Sequence, residues 1–201
     1  SSSGKTMLDV LEEANLIKNV FKGKTKNKKL YLKFTIDKKT GTKITGIPGK
    51  MGMLDKYDYK SLDKSSLESE QGYKIFMFHT AITEYKPKSL EMMDSSPASS
   101  LPKNFNYYAG GHIHFVFEKN EKNNYLVYPG PIFPNNFREI EELGGGSFYI
   151  VDDDSLELNR IQIYPTISIK VNAENKTSEQ IESEIIEIIK EKKVKNAIIT
   201  I

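Results

Sequence analysis

Asn106-Tyr107-Tyr108-Ala109-Gly110-Gly111-His112-Ile113-His114 is the stretch that decides the fold. Its apolar start reads as a buried strand, and it ends on two glycines and two histidines. Lys74-Ile75-Phe76-Met77-Phe78 repeats the plan: a short apolar run, expected to be a strand buried on both faces, that ends at His79. The chain has three histidines, and all three fall at such ends. In open α/β sheets, sites form outside the carboxyl ends of strands. An extended backbone sends residues two apart to one face, so His112 and His114 are expected together. Gly110 and Gly111 allow sharp turning and close approach. Neutral imidazole is a common ligand of divalent transition metals. His79, His112 and His114 are therefore the candidate metal ligands. One zinc-like ion held by all three and separate ions both fit the spacing. A lone rim histidine is the plainer reading of His79.

Working outward, the mixture of strands and helices predicts an α/β (α+β) fold. Residues 6–17 carry Met7, Leu8, Leu11 and Ala14 at helical spacing, with Thr6 as N-cap. Lys22 to Lys29 reads as a surface loop, Leu30 to Ile36 as a strand, Asp37 to Thr42 as a turn and Lys43 to Ile47 as the return. Residues 55–72 are polar, either a surface helix or an excursion, and residues 86–104 are a Ser- and Pro-rich loop. Phe115–Glu118 and Tyr125–Tyr128 bracket a hairpin tip. Tyr128-Pro129-Gly130-Pro131 suits a type II turn, and Gly144 to Gly146 reads as a hinge-like loop. Ser147–Val151 and Leu156–Tyr164 are expected strands around the acidic turn Asp152 to Asp154. After Pro165 comes a strand–helix–strand unit, with Thr177 and Gln180 spaced as a capping box. This predicts a first domain over 1–164 and the start of a second over 165–201. The chain opens Ser1-Ser2-Ser3-Gly4 and closes on Ile201 within a strand, as a piece of a longer protein would.

Of 201 residues, 28% are charged and 38% hydrophobic, a globular balance. Cysteine is absent, which excludes disulfide scaffolds, zinc ribbons and thiol nucleophiles. No apolar run approaches the ~18 residues of a membrane span, and no signal peptide opens the chain. Cytoplasm is the expected location, with no membrane partner. Residues 1–60 hold 14 Lys against 6 Asp and Glu. Solvated surface lysines explain that, and an anionic partner is the sharper reading. Phosphate loops, G-x-S-x-G and dinucleotide-type glycine patterns are missing. Tyr107 and Tyr108 could stack bases, but in a buried strand they read as core. Arg138 could contact phosphate or pair with Glu141 or Glu142. Neither Asp94 nor the acidic turn is placed to complete a metal site.

Phe76-Met77-Phe78-His79, the Leu101–His114 run and Val127-Tyr128-Pro129-Gly130-Pro131 resemble the later motifs of calcineurin-like metallophosphoesterases. Within that superfamily, Y-Y-A-x-G-H-I-H followed by Y-P-G resembles the archaeal double-strand-break repair nucleases, the meiotic-recombination-eleven or SbcD family. The resemblance implies the C-terminal half of a sheet sandwich and the start of a capping domain. It implies an exo- and endonuclease acting on DNA with two manganese ions. His79 and His112 would ligate one ion and His114 the other, with the ions about 3.5–4 Å apart. It also implies an SbcC-type coiled-coil ABC ATPase as partner, and a homodimer to which Val10 and Ala14 contribute. The family's D-x-H, G-D-x-x-D and G-N-H-D motifs are absent from this sequence. The resemblance thus leaves the chain with no catalytic residue of its own, and inactivity in isolation is expected. Alternatives are another calcineurin-like phosphodiesterase, the small subunit of an archaeal family-D polymerase, or a non-catalytic scaffold that binds a partner.

Overall fold

Thr6 starts the first helix. In the computed structural model, which describes residues 6–50, 52, 54–122, 124–152, 155–192 and 195–201, Thr6 caps α1 (Met7–Glu13). Its N–H donates to the Asp9 carboxylate at 2.6 Å, and the Asp9 N–H donates back to the Thr6 hydroxyl at 3.3 Å. The helix is shorter than the 6–17 pattern predicts. Asn15, at φ 58°, takes the left-handed conformation that asparagine tolerates and turns the chain away. The lysine-rich stretch is not the expected loop. It is a hairpin of β1 (Gly23–Lys26) and antiparallel β2 (Lys29–Leu32). Asn27 and Lys28, at φ 51° and 61°, give the two positive-φ residues of a type I′ turn. The predicted strand over Leu30–Ile36 therefore splits, and β3 (Thr35–Ile36) pairs instead with β4 (Lys43–Ile47). Between them the Thr40 N–H donates to the Asp37 carboxylate at 2.9 Å. The polar segment that follows holds two short helices, α2 (Asp55–Ser61) and α3 (Ser65–Ser69).

The apolar runs form β5 (Lys74–His79), β6 (Tyr107–Gly111), β7 (Val116–Glu121) and β8 (Asn124–Pro129). Asn123, at the tip between β7 and β8, lies outside the described residues. The main sheet has the order β3-β4-β5-β6-β8-β7. Strands β4, β5, β6 and β8 run parallel, while β3 is antiparallel to β4, so the sheet is mixed. The carboxyl ends of the parallel strands share one edge, with His79 opposite Gly111. One face is packed by Ile47, Phe76, Phe78, Phe105 and Tyr128, all at most 3% exposed. Each such side chain contributes ~1.5–3 kcal/mol by burial, and Phe76 meets Phe105 edge-on at 5.4 Å. β5 is not buried on both faces as its apolar run suggests: Met77, pointing the other way, is 45% exposed.

The chain forms two compact units. The first runs up to Ile113 and includes Glu118–Tyr128; the second comprises His114–Phe117 and Pro129–Ile201. In the second, Gly130 has φ 74°, but the expected turn does not form there: Pro129 still belongs to β8, and the chain runs on through Gly130 and Pro131 without a bend. An unforeseen helix, α4 (Phe137–Leu143), begins at Asn136, whose side chain accepts the Glu139 N–H at 2.9 Å. It ends at Gly144, φ 68°, so this glycine is a helix cap and not a hinge. β9 (Gly146–Asp152) pairs antiparallel with β10 (Ser155–Ile161). Asp153 and Asp154 of the acidic turn lie outside the described residues, as do Ser1 to Gly4. β11 (Thr166–Ser168), α5 (Ser178–Lys192) and β12 (Ile198–Thr200) realise the strand–helix–strand unit, with β11 and β12 parallel. The capping box is present: the Thr177 N–H donates to Gln180 Oε1 at 2.9 Å, and the Gln180 N–H donates to Thr177 Oγ1 at 3.4 Å. Among the described residues, no helix is long and apolar enough to cross a membrane.

Candidate functional site

His79 is the last residue of β5. Its N–H donates to Tyr59 Oη on α2 at 3.3 Å. Burial pushes the Tyr59 phenol well above its usual range, so it stays protonated. The imidazole lies between two bare backbones. A Cβ on Gly49 would meet His79 Cδ2 at 2.3 Å, and one on Gly111 would meet Nδ1 at 2.9 Å. Gly49 lies just past β4, and nothing in its local pattern points to His79, which lies 30 positions on. Just past β6, His112 brings its ring within 5.2 Å of that of His79, at 63°. The two rings thus meet at the carboxyl edge of the sheet, both exposed. His112 has φ 83°, a region that favours glycine. A backbone there costs of order 1–3 kcal/mol and persists only where its surroundings hold it. The direction of His112 therefore comes from this turn, and two-residue alternation does not extend past Gly111.

Tyr128 fixes the segment leaving β5. Its hydroxyl donates to the Thr80 carbonyl at 2.8 Å and accepts the Ile82 N–H at 3.1 Å. Its ring stands edge-on to Phe78 at 5.4 Å. All of this is buried, and burial drives the phenol pKa up.

His114 belongs to the second unit, where its Nδ1 lies 3.0 Å from Glu139 Oε1. Glu139 also accepts from the Asn135 N–H at 2.8 Å and from Asn136 Nδ2 at 2.9 Å. The Asn135 N–H first, and then His114, hold its carboxyl below the usual range. A carboxylate on one ring nitrogen fixes the tautomer and orients the other nitrogen for a ligand. Sequence reasoning missed Glu139. The available signal was Asn136 with Glu139 three residues on, the spacing of a helix start.

Among the described residues, no group of three or more His, Asp or Glu is placed to hold a metal. His79 and His112 offer two nitrogen donors and no oxygen. Manganese favours oxygen donors, so these residues alone do not fit a manganese centre. Asp94 is engaged by Lys56 at 2.9 Å. Arg138 pairs with Glu142 at 2.7 Å, the plainer of its two readings. Tyr108 donates to the Pro102 carbonyl at 2.8 Å, and burial pushes its phenol up to about 12. Its side chain is half-buried, so it lies at the margin of the core and not within it as its strand context suggests. Val10 and Ala14 are exposed, Val10 by 50%.

No protein-family model matches the chain. Over 110 residues it is 32% identical to the DNA double-strand break repair protein Mre11 of Methanococcus maripaludis, covering 52% of this chain and 28% of that protein. Over 129 residues it is 34% identical to the DNA double-strand break repair protein Mre11 of Methanocaldococcus jannaschii, covering 58% of this chain and 34% of that protein. The match spans about a third of the length of these curated relatives. The histidine-bearing strand ends and the Y-P-G-P segment thus sit in a chain that is similar to archaeal Mre11 over somewhat more than half of its residues.

Proposed function

We propose that this chain is the C-terminal part of a calcineurin-like phosphoesterase domain, residues 1–164, followed by the start of a capping domain, residues 165–201. The whole protein would be a manganese-dependent DNA nuclease in double-strand break repair. It would work in the cytoplasm as a homodimer joined through Val10 and Ala14, with an SbcC-type ATPase. The observation that carries this reading is the meeting of His79 and His112 at the carboxyl edge of a mixed sheet. The similarity to archaeal Mre11 supports it.

In this reading His79 and His112 serve one ion, and His114, oriented by Glu139, serves the other. Bound ions would supply an activated water and stabilise a leaving oxygen. This chain contributes imidazole nitrogens, a glycine-lined slot that positions His79, and a carboxylate that sets the tautomer of His114. The remaining donors would come from the D-x-H, G-D-x-x-D and G-N-H-D motifs of the longer protein. Alone, the chain would bind manganese weakly and leave DNA intact. The test is manganese-dependent digestion of a linear duplex by this chain and by a longer protein that contains it. Cleavage by the longer protein, lost in His112→Ala with folding retained, is expected. Chelator-sensitive cleavage by the 201-residue chain itself would overturn the division of ligands.

A further inference from the structure

Between Glu13 and Asp37 the chain carries seven lysines and no acid. The hairpin sorts them. In the β1–β2 register Lys24 faces Tyr31 and Lys26 faces Lys29. Beyond the ladder, the Lys33 N–H donates to the Lys22 carbonyl at 2.7 Å, extending the same pairing by one step. Side chains alternate along a strand. Lys22, Lys24, Lys26, Lys29, Tyr31 and Lys33 therefore share one face, while Leu30 and Leu32 are buried on the other. All five lysines on this face are exposed, and Tyr31 is 39% exposed among them. Among the described residues, the ion pair on this face is Lys29 with Asp63 at 3.5 Å.

Like charges directly opposite each other destabilise a sheet, and this ribbon sets Lys26 against Lys29 and Lys22 against Lys33. Nothing in the hairpin's own packing requires that arrangement, because the buried face is satisfied by the leucines. We propose that the outward face of the β1–β2 ribbon binds the phosphate backbone of a nucleic acid. Lysines two apart on a strand repeat every ~7 Å, close to the separation of successive phosphates along one nucleic-acid strand. The exposed Tyr31 ring among them can stack on a base. The face has no aliphatic side chain to enter a membrane, and its tip is Asn27-Lys28.

This proposal takes only its choice of polymer from the proposed function. It is tested without metal, so binding and cleavage can fail separately. Binding of a labelled linear DNA duplex is measured in chelator across a salt series. K24Q/K26Q/K29Q should weaken it about tenfold or more and flatten the salt slope by about 2–3. K170Q/K190Q/K192Q, with the same loss of charge elsewhere, should change it less than about twofold. On the unsubstituted chain, DNA should shield Lys24, Lys26 and Lys29 from acetylation more than Lys170, a readout that needs no variant to fold. Equal losses in the two triple variants, no shielding, or a ribbon that proves necessary only for binding phosphatidylserine vesicles would overturn the proposal.

Discussion

The imidazole of His79 packs against Gly49 so closely that a Cβ there would stand 2.3 Å from its Cδ2. One residue from the loop after β4 thus sets the position of a ring at the end of β5. Gly49→Ala should cost ~1–3 kcal/mol through overpacking and should move the His79 ring away from His112. Histidine ring resonances and thermal unfolding report both effects. Unchanged resonances with unchanged stability would show that the slot is looser than described.

Tyr128 makes a second prediction. Tyr128→Phe keeps the ring against Phe78 but strands the Thr80 carbonyl and the Ile82 N–H in the interior, where both residues are at most 2% exposed. An unsatisfied buried polar group costs ~1–3 kcal/mol. The denaturant midpoint should fall with an unchanged m-value. A midpoint equal to that of the original chain would mean that water reaches these groups.

Glu139 gives a pH dependence. Its folded pKa lies below the ordinary carboxyl value of 4.5, chiefly through the Asn135 N–H. The stabilisation is therefore complete above the unfolded value and is lost as pH falls through the folded one. Glu139→Gln should flatten the acid limb of the stability profile. Asn136→Ala should remove the cap of α4 at a cost of ~1 kcal/mol at neutral pH. Acid limbs that superimpose with and without Glu139 would refute the assignment.

The strands that carry the site were legible because their apolar runs are dense and end abruptly in glycine and histidine. The β11–α5–β12 unit was legible because Ile181, Ile185, Ile188 and Ile189 keep helical spacing and Thr177 announces the start. The β1–β2 hairpin was hidden because lysines occupy its outward positions and only Leu30 and Leu32 remain to show alternation. Helix α4 spans seven residues, too few for a repeating stripe. At the site, strand-end placement brought His79 and His112 together, but the left-handed backbone of His112 and the distant Gly49 leave no local trace. Both depend on tertiary packing, which overrides local preference.

The exposed apolar side chains of α1 lead to a prediction about assembly. Seven residues are too few for a stable helix in water, yet α1 buries none of its side chains, and Met7, Leu8 and Val10 are at least 50% exposed. If a second copy covers them in the longer protein, Val10→Asp should dissociate the dimer and leave the melting temperature of this chain unchanged. Sedimentation of both proteins decides it. A longer protein that is monomeric before substitution would count against a role for this helix in assembly.

His112 sets ligand geometry against stability. At φ 83° an imidazole-bearing residue is strained, whereas glycine adopts the same angle freely. If the residue served packing alone, its exposed ring would repay little of that strain. His112→Gly should therefore stabilise the chain by ~1 kcal/mol while removing one of the two nitrogen donors beside Gly111. Zinc(II) binds nitrogen sites more tightly than manganese(II), so zinc is the sensitive probe for a pair of imidazoles. The original chain should bind zinc more tightly than manganese, and both His112→Gly and His79→Ala should weaken that binding. The informative pairing is a higher denaturant midpoint with weaker zinc binding in the same His112→Gly protein. A lower midpoint would mean that the ring supports the fold, and full zinc binding without it would place the ion elsewhere.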